Sequence, residues 1–480
     1  MPGVASADSV ALSPLDHIPA KLFLPFILYF DTPDPQTALN TLKGGIDKLV
    51  SQLPWLEGDV VFHQKPDGQK GRMHIAPPQV PLSQVSILQV KYFDRDEELR
   101  SHPVQAYLAL LTFIPASEQR PVLRFQANLF PSKLVLAMSF WHNVFDGTGA
   151  GVILEALAEC CQFSTEPTET PLAQIIAATH ITLRNHVSSF PAQCKTRLDH
   201  GVELGPPVFD PSTSTEQWNA MESALAFVVE TNRYTFDPHK IAQLKDLCTE
   251  QLQALSPTTA SWISSNDILT ATLALCVDRV LHPERASTPT TTTTITTPKP
   301  ADFLMAVNLR NRVRPRIPGT YVGNMIFPIH DTIDPPKPLP AAEGHPTTDE
   351  ERDLLRLAQL ALRVRTRLSA MDGTVAYSAS AVVADHDDWT TVEGRPAGII
   401  VTSWRDLDIY SLDFGAGLGY IEDFEPGLAL VPGGCIFLPA RMSGGGGRDR
   451  ATAPWEVCVT LRMGDSETLL HDQLFRRILA

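Results

Sequence analysis

The sequence lacks metal-type cysteine spacing, long hydrophobic runs and a secretory leader. Its seven cysteines form no CxxC pair, and several lie in apolar segments, so we expect reduced thiols in the protein core. No apolar run approaches the ~18 residues that would span a bilayer. Residues 1–8 lack the charged start and apolar centre of a secretory signal. These absences predict a cytoplasmic protein without a membrane partner.

Positive charge is also scarce. The formal net charge is -15, which disfavours nucleic acid or an anionic membrane surface as a partner. Hydrophobic residues make up 43% and charged residues 19%, as in an ordinary globular protein. A chain of 480 residues is too long for one hydrophobic core and suits two domains.

One stretch changes from a strand pattern through a polar turn to a helix pattern. Residues 134–141 are almost wholly apolar, residues 142–147 read HNVFDG, and the segment from Val152 has the spacing of an amphipathic helix. Glycines at 147, 149 and 151 allow a sharp turn and close packing. An imidazole with a pKa near ~6.5 is well suited to accept a proton at neutral pH. His142 is therefore the candidate general base.

The run from His142 to Gly147 resembles the HxxxDG signature of the BAHD acyltransferases and, more distantly, the condensation domains of peptide synthetases. Three further stretches resemble segments of the BAHD family in the family's order: residues 264–279, 306–324 and 402–417. The resemblance covers nearly the whole chain, and the fungal secondary-metabolite O-acetyltransferases look most similar.

The resemblance implies an α/β fold of two similar-sized domains, each a mixed sheet with helices, as in chloramphenicol acetyltransferase, with the active-site channel between them. We place the N-terminal domain at 1–205 and the C-terminal domain at 221–480. A crossover linker at 206–220 is rich in Gly, Pro, Ser and Thr. The low-complexity segment 286–300 and the Pro-rich segment 334–349 are expected to be surface insertions.

Family roles transfer to matching residues. His142 would be the catalytic base, and Gly147 would support its turn. Asp146 could orient the imidazole as in a triad, but the resemblance implies instead an ion pair with Arg310 that fixes the loop. Thr402 and Trp404 match positions near the acyl-transfer point, where a hydroxyl could donate to the oxyanion.

Other matches have weaker implications. Asp413 resembles the aspartate of the family's DFGWG motif, a second functional residue whose expected job is to hold the domain interface. Gly415 and Gly417 keep that motif, but Ala416 replaces its tryptophan, and we expect a space there that shapes the acceptor pocket. Ser264 and Ser265 begin a helix whose free N–H groups would face the pantetheine arm of CoA, although helix capping alone would explain them.

His17 is a separate candidate because it lies beside Asp16. We expect it to have a structural or capping role.

The implied function is an acyl-CoA-dependent O-acyltransferase. Acetyl-CoA would be the co-substrate, and the acceptor would be a hydroxyl of a terpenoid, alkaloid or polyketide. Because a thioester is already activated, transfer needs no metal, no tightly bound cofactor and no covalent intermediate. We expect a monomer.

Three alternatives compete. Residues 147–151 resemble a dinucleotide fingerprint, but its last glycine would fall at 152, which is valine. A condensation domain that uses a carrier-bound acyl group would have a second histidine where Trp141 stands. A catalytically silent binding scaffold is favoured only by Ala416, and the intact His142, Asp146 and Gly147 argue against it.

Overall fold

The computed structural model describes residues 9–63, 70–78, 86–99, 104–112, 120–162, 170–195, 204–205, 217, 228–255, 262–286, 299–335, 348–427, 432–442, 450 and 452–480. Apart from residue 217, the expected crossover at 206–220 lies outside them, as do residues 287–298 and 336–347 of the two expected insertions. The expectations for these segments remain predictions.

The strands are, in chain order, β1 Val10–Ala11, β2 Phe23–Asp31, β3 Asp59–Phe62, β4 Met73–Ala76, β5 Leu88–Tyr92, β6 Leu123–Leu129, β7 Lys133–Trp141, β8 Leu204–Gly205, β9 Val229–Phe236, β10 Ala301–Asn308, β11 Ile326–Ile333, β12 Glu393–Gly394, β13 Ile399–Ser403, β14 Asp423–Glu425, β15 Gly434–Phe437 and β16 Trp455–Arg462. The helices are α1 Pro35–Gln52, α2 Gly147–Cys161, α3 Leu172–Ser188, α4 Phe190–Gln193, α5 Pro238–Leu255, α6 Ser265–Leu281, α7 Pro283–Ala286, α8 Asp349–Ala370, α9 Gly373–Ala384, α10 Asp465–His471 and α11 Gln473–Ile478.

The first large sheet has five strands in the order β14-β2-β7-β6-β5. Strands β2, β7 and β6 are antiparallel, and β5 runs parallel to β6. Nearly every residue of these three central strands is buried, because helices α1 and α2 contribute to a core that includes the sheet. Because these strands are buried, they read as nearly continuous apolar runs in the sequence.

Proline within a strand usually indicates an edge strand, but β2, which contains Pro25, is an interior strand of this sheet. The short β14 pairs only with residues Ile27, Leu28 and Tyr29. Pro25 therefore has a ladder partner only on the β7 side, at Ser139, and its missing N–H disrupts no second ladder.

The second large sheet has six strands in the order β11-β10-β13-β15-β16-β9. It is mixed, with β13 parallel to both β10 and β15. Helices α5, α6 and α8 pack together beside it. Almost all of α6 is buried, and Ser264 caps its first turn.

The two sheets have separate hydrophobic cores, and this agrees with the expected two-domain α/β fold. The division is not simple in sequence, however. Phe414, Leu418 and Phe424 of the second half pack into the first core, and β14 extends the first sheet. The segment that begins with Asp413-Phe414-Gly415 thus belongs spatially with the first half of the chain, because its apolar side chains are buried there.

No helix in the described part of the chain is long and apolar enough to cross a membrane. All seven cysteines lie in that part, none is joined in a disulfide, and six are buried.

Candidate active site

A cavity of about 320 Å³ lies where the two halves of the chain meet. His142, Gly147 and Thr148 line it from the first half, and Asn308 and Thr402 line it from the second. Most of the remaining wall is apolar, formed by Ile18, Leu22, Leu24, Leu304, Ile326, Ile400, Leu407 and Ile436, among others.

His142 follows directly after β7 and is held by both its backbone and its ring. Its N–H donates to the carbonyl of Leu22 at 3.0 Å, and its Nδ1 lies 3.1 Å from the carbonyl oxygen of Phe145. A carbonyl oxygen can only accept, so Nδ1 carries the hydrogen and Nε2 keeps its lone pair. The ring is anchored as the tautomer that a general base requires.

Burial lowers the pKa of His142 below its ordinary value, and the Phe145 carbonyl and the charge of Asp146 oppose this effect only in part. The imidazole is therefore neutral at neutral pH. The side chain remains partly exposed, toward the cavity that it lines. It can accept a proton from a molecule bound there.

Asp146 does not orient the imidazole, because its two oxygens are engaged elsewhere. They accept a bidentate pair of hydrogen bonds from Arg310, at 2.8 and 2.9 Å. The backbone N–H groups of Gly149 and Met325 also donate to them, at 2.8 and 2.9 Å. Both charged side chains are buried. The structure thus brings Asp146 and Arg310 together as a pair that ties the motif loop to the second half of the chain.

A second buried ion pair supports the same loop and was missed by the sequence analysis. Asp16 accepts from Nη1 of Arg184 at 2.9 Å, and Arg184 also donates to the carbonyl of Val144. The backbone N–H of Asn324 donates to Asp16 at 2.8 Å, and its side chain donates to the carbonyl of His142 at 2.9 Å. The sequence signal for Asp16 was the Ser-x-x-Asp pattern at residues 13–16, which is typical of a capping box at the start of a helical turn.

His17 itself is structural, as the sequence analysis expected. It is fully buried, and burial lowers its pKa far below the ordinary value. Its Nε2 accepts from the backbone N–H of Met73, and its ring packs edge-on against Trp389 at 4.7 Å.

Two glycines of the motif are required by close approach to the second half of the chain. A Cβ at Gly147 would lie 2.5 Å from Nε1 of Trp404, and a Cβ at Gly149 would lie 2.0 Å from the carbonyl oxygen of Val322. Real Cβ atoms do not tolerate such distances. Trp404 also lines the cavity beside Thr402.

Asp413 is not among the residues that line the cavity. Its Oδ1 accepts from the backbone N–H of Gly415 at 2.9 Å, within a turn where Gly415 and Gly417 have φ of +79° and +82°. These values favour glycine. The structure therefore places Asp413, Gly415 and Gly417 in a turn that packs on the first domain, and a catalytic contact for Asp413 stays a prediction.

The expectation for Ala416 was wrong. Its side chain is exposed to solvent, and the residue does not line the cavity. Its carbonyl accepts from the hydroxyl of Thr41 at 2.8 Å, which fixes the turn through the backbone rather than through a side chain. Position 416 therefore does not shape this cavity.

Ser264 and Ser265 do not line the cavity either. The Ser264 hydroxyl caps helix α6 by accepting from the N–H of Asp267 at 3.2 Å, and Arg365 donates to the same hydroxyl at 2.8 Å. Capping thus accounts for Ser264, and its expected contact with CoA remains a prediction, as does that of Ser265.

Two family models match the sequence. The model of the Transferase family matches residues 96–421, and the Trichothecene 3-O-acetyltransferase-like N-terminal domain matches residues 22–161. The first match covers more than half of the chain. This protein belongs to the Transferase family. The expected family and the expected acyltransferase activity are confirmed by this match and by the relatives described next.

Curated relatives of the chain include fungal acyltransferases. Fumigaclavine B O-acetyltransferase of Penicillium roqueforti is 32% identical, with 98% of both chains covered. Communesin N16 acyltransferase of Penicillium expansum is 31% identical over 98% of this chain and 97% of the relative.

Solved structures show the same fold. TRI101 of F. sporotrichioides, crystallised with coenzyme A and T-2, has a TM-score of 0.70 at 19% identity, covering 98% of this chain and 99% of its own. Vinorine synthase has a TM-score of 0.58 at 16% identity, covering 100% of this chain and 96% of its own. The expected two-domain fold is confirmed.

Proposed function

We propose that this protein transfers an acetyl group from acetyl-CoA to a hydroxyl of a small specialised metabolite, with His142 as the general base. The observation that carries the proposal is the geometry of His142. Its Nδ1 is anchored to the Phe145 carbonyl while its side chain lines a cavity formed by both halves of the chain. Nε2 is thus the atom that meets a bound acceptor.

The reaction needs a base, a donor for the oxyanion and protection from water. Nε2 of His142 takes the hydroxyl proton while the acceptor oxygen attacks the thioester carbonyl, a step in which general base catalysis contributes about 10²–10⁴-fold. The tetrahedral intermediate then collapses, the C–S bond breaks, and the imidazolium returns the proton to the CoA sulfur. Every atom is accounted for without a metal or a covalent bond between the acyl group and the enzyme.

The oxyanion donors are proposed from position. Thr402 and Trp404 line the cavity, and the indole Nε1 lies against the backbone of Gly147, next to the His142 loop. A hydroxyl or an indole N–H can each donate to the developing negative charge. The apolar wall reduces the access of competing water.

The relatives support the choice of donor and acceptor. One is named as an O-acetyltransferase acting on fumigaclavine B, and TRI101 was crystallised with coenzyme A. We also propose a cytoplasmic location, which the buried cysteines without disulfides support. The proposed domains remain 1–205 and 221–480, and a monomer suffices because one chain supplies the whole cavity.

A thiol-release assay tests the function. Purified protein is incubated with acetyl-CoA and a panel of alcohols, and free CoA thiol is measured together with the acetyl ester. We expect ester formation equal to thiol release. Thiol release without ester would indicate hydrolysis, and ester formation only from a carrier-bound acyl group would favour a condensation-type enzyme. Binding of acetyl-CoA without either product would support the silent scaffold.

A further inference from the structure

One face of the second large sheet forms a wall of the cavity. Leu304, Ala306 and Asn308, at alternate positions of β10, line the cavity, as do Ile326 and Pro328 of the neighbouring strand β11. Alternate residues of a strand lie on the same face of a sheet. This row of five residues is apolar except for Asn308, the last residue of β10. A molecule bound along the row therefore meets an amide at the end of an apolar surface.

The side-chain amide of Asn308 has a fixed orientation. Its Oδ1 accepts from the backbone N–H of Arg310 at 3.0 Å and from Nη1 of the same residue at 3.4 Å. Both of these arginine groups can only donate, so the atom that faces them must be the oxygen of the amide. Nδ2 is then the atom next to Thr148, and it donates to the Thr148 hydroxyl oxygen at 3.1 Å.

Thr148 brings the first half of the chain to the same point. It is the second residue of helix α2, and it lines the cavity together with His142 and Gly147. Its hydroxyl oxygen accepts one hydrogen from Asn308. Among the described residues, no protein group accepts the hydroxyl hydrogen or the second hydrogen of Nδ2. The pair therefore offers a ligand two hydrogens and one remaining lone pair, which suits a group that only accepts, such as a carbonyl oxygen.

These donors suit an alcohol acceptor better than the pantetheine arm of CoA. Each amide of pantetheine carries an N–H as well as a carbonyl, so it needs an acceptor beside the donors. Oδ1 of Asn308 is already engaged by Arg310. A rigid skeleton with a ketone, ester or lactone needs donors only, and its hydrocarbon part fits the apolar row of β10 and β11.

We propose that Thr148 and Asn308 together bind a carbonyl oxygen of the acceptor, so that the natural acceptor carries a ketone, ester or lactone besides the hydroxyl that is acylated. The inference rests on the proposed function, because it names the acceptor class of the same cavity. Two donor atoms 3.1 Å apart hold the carbonyl oxygen, and the hydroxyl of the same molecule reaches Nε2 of His142. Thr148 and Asn308 act as specificity residues and take no part in the proton transfer.

The test compares hydroxy-ketones with alcohols of the same shape. The ketones are 4-hydroxycyclohexanone and 6-hydroxy-2-decalone, which place their two oxygens at different separations. Cyclohexanol and 2-decalol have a methylene in place of each carbonyl. For each compound, kcat/KM is measured at saturating acetyl-CoA, and the dissociation constant is measured by calorimetry in the presence of CoA. The readout is the ratio of ketone to matched alcohol in each protein variant, because a change that only loosens the fold lowers both values.

Thr148→Val keeps the shape of the side chain and removes its hydroxyl. It should lower the ratio about three- to tenfold for the better ketone, the effect of one neutral hydrogen bond, and leave the matched alcohol within about threefold of wild type. Asn308→Asp keeps an oxygen for the N–H of Arg310 but loses the donor, and should lower the ratio by a similar factor. Thr148→Ser retains the hydroxyl and should keep the ratio within about twofold of wild type.

Ser403→Ala is the matched control, because Ser403 lines the same cavity but its hydroxyl faces the backbone N–H of Arg405, from which it accepts at 3.4 Å. It should change the ratio by less than about twofold. The proposal is overturned if Thr148→Val and Asn308→Asp leave the ratio unchanged for both ketones. It is also overturned if they raise the KM of acetyl-CoA instead, since the donors would then bind pantetheine. If the ratio of dissociation constants falls in these variants but no alcohol is acetylated, the proposed function fails and the carbonyl site stands.

Discussion

At the scale of single residues, His142 shows what burial adds to a motif. The sequence places it at the end of an apolar strand, but its tautomer depends on the Phe145 carbonyl, which the turn brings within 3.1 Å of Nδ1. Its lowered pKa depends on desolvation in the folded chain. Neither property follows from residue spacing, and together they make the side chain a neutral base.

The first prediction is that His142→Ala folds normally and loses transfer activity by about 10²–10⁴-fold, the usual contribution of a general base. Ester formation and a melting curve are the measurements. His63→Ala is the control, because that histidine is not among the residues that line the cavity. An alanine variant within about tenfold of wild type would remove His142 from the role of base.

The second prediction concerns pH. The neutral imidazole is the active form, so kcat/KM should rise as pH rises through the folded pKa of His142 and then stay level. Burial places that pKa below 6.5, so the midpoint of the rise should also lie below 6.5. A profile of kcat/KM against pH with saturating acetyl-CoA measures it. A midpoint above the ordinary histidine value would contradict a desolvated base.

The third prediction concerns the Asp146–Arg310 pair. Asp146→Asn or Arg310→Met alone leaves one buried group without its partner, which costs about 3–5 kcal/mol. The double variant should lose much less than the sum, because neither uncompensated charge remains. Urea unfolding of the four proteins measures the coupling free energy. Strict additivity would show that the two side chains do not act as a unit.

At the scale of elements, helix α2 packs closely against the second half of the chain through its three glycines. Its glycines differ in what a Cβ would contact: a backbone carbonyl at Gly149, an indole at Gly147 and the flexible end of Leu407, 3.2 Å away, at Gly151. The sequence shows three equivalent-looking glycines. Only the packed structure separates them.

The fourth prediction is a matched series in α2. Gly149→Ala forces the backbone of α2 away from the backbone at Val322, and should lower the free energy of unfolding by about 1–3 kcal/mol. Gly147→Ala displaces Trp404, which lines the cavity, so its main effect should be a lower kcat/KM. Its loss in free energy of unfolding should be small. Gly151→Ala should be tolerated, because alanine favours a helix by about 1 kcal/mol and the Leu407 side chain can move. Chemical denaturation and kinetics of the three variants check this order, and equal losses at 149 and 151 would contradict it.

At the scale of the whole molecule, patterns that are local in sequence were predicted better than contacts between distant segments. The strand and helix around His142, the capped start of α6 and the two-domain fold follow from apolar spacing, capping residues and the family resemblance. The Asp16–Arg184 pair joins residues 168 positions apart; the capping pattern at residues 13–16 marks Asp16, but no local pattern indicates that Arg184 is its partner. Ala416 was misjudged because a motif position does not reveal whether its side chain faces a channel or solvent.

The same limit applies to strand β14, which crosses from the second half of the chain to the first sheet. Asp423 at its start accepts from Arg233 of the second sheet at 2.7 Å and from Arg441 at 2.8 Å. This carboxylate therefore links strands of both large sheets. Burial raises the pKa of Asp423, but the hydrogen bond and the charge of Arg233 lower it by more than burial raises it. The pKa of Asp423 is therefore below its ordinary value.

The last prediction follows from this link. Asp423→Asn removes the charge that holds Arg233 and Arg441 side by side, and should lower the free energy of unfolding by about 1.5–3 kcal/mol, the range for hydrogen bonds to charged groups. Asp408→Asn is the control. Asp408 lies 2.6 Å from its partner Arg450, but the Asp408 side chain is 58% exposed, so the free energy of unfolding should fall by only about 0–1 kcal/mol. Because the folded pKa of Asp423 is depressed, its contribution is fully present above the unfolded value near 3.8 and is lost as pH falls through the folded value. Denaturation of both variants at pH 7 and in acid measures this, and equal losses for Asp423→Asn and Asp408→Asn at pH 7 would show that the link between the sheets adds nothing beyond a surface ion pair.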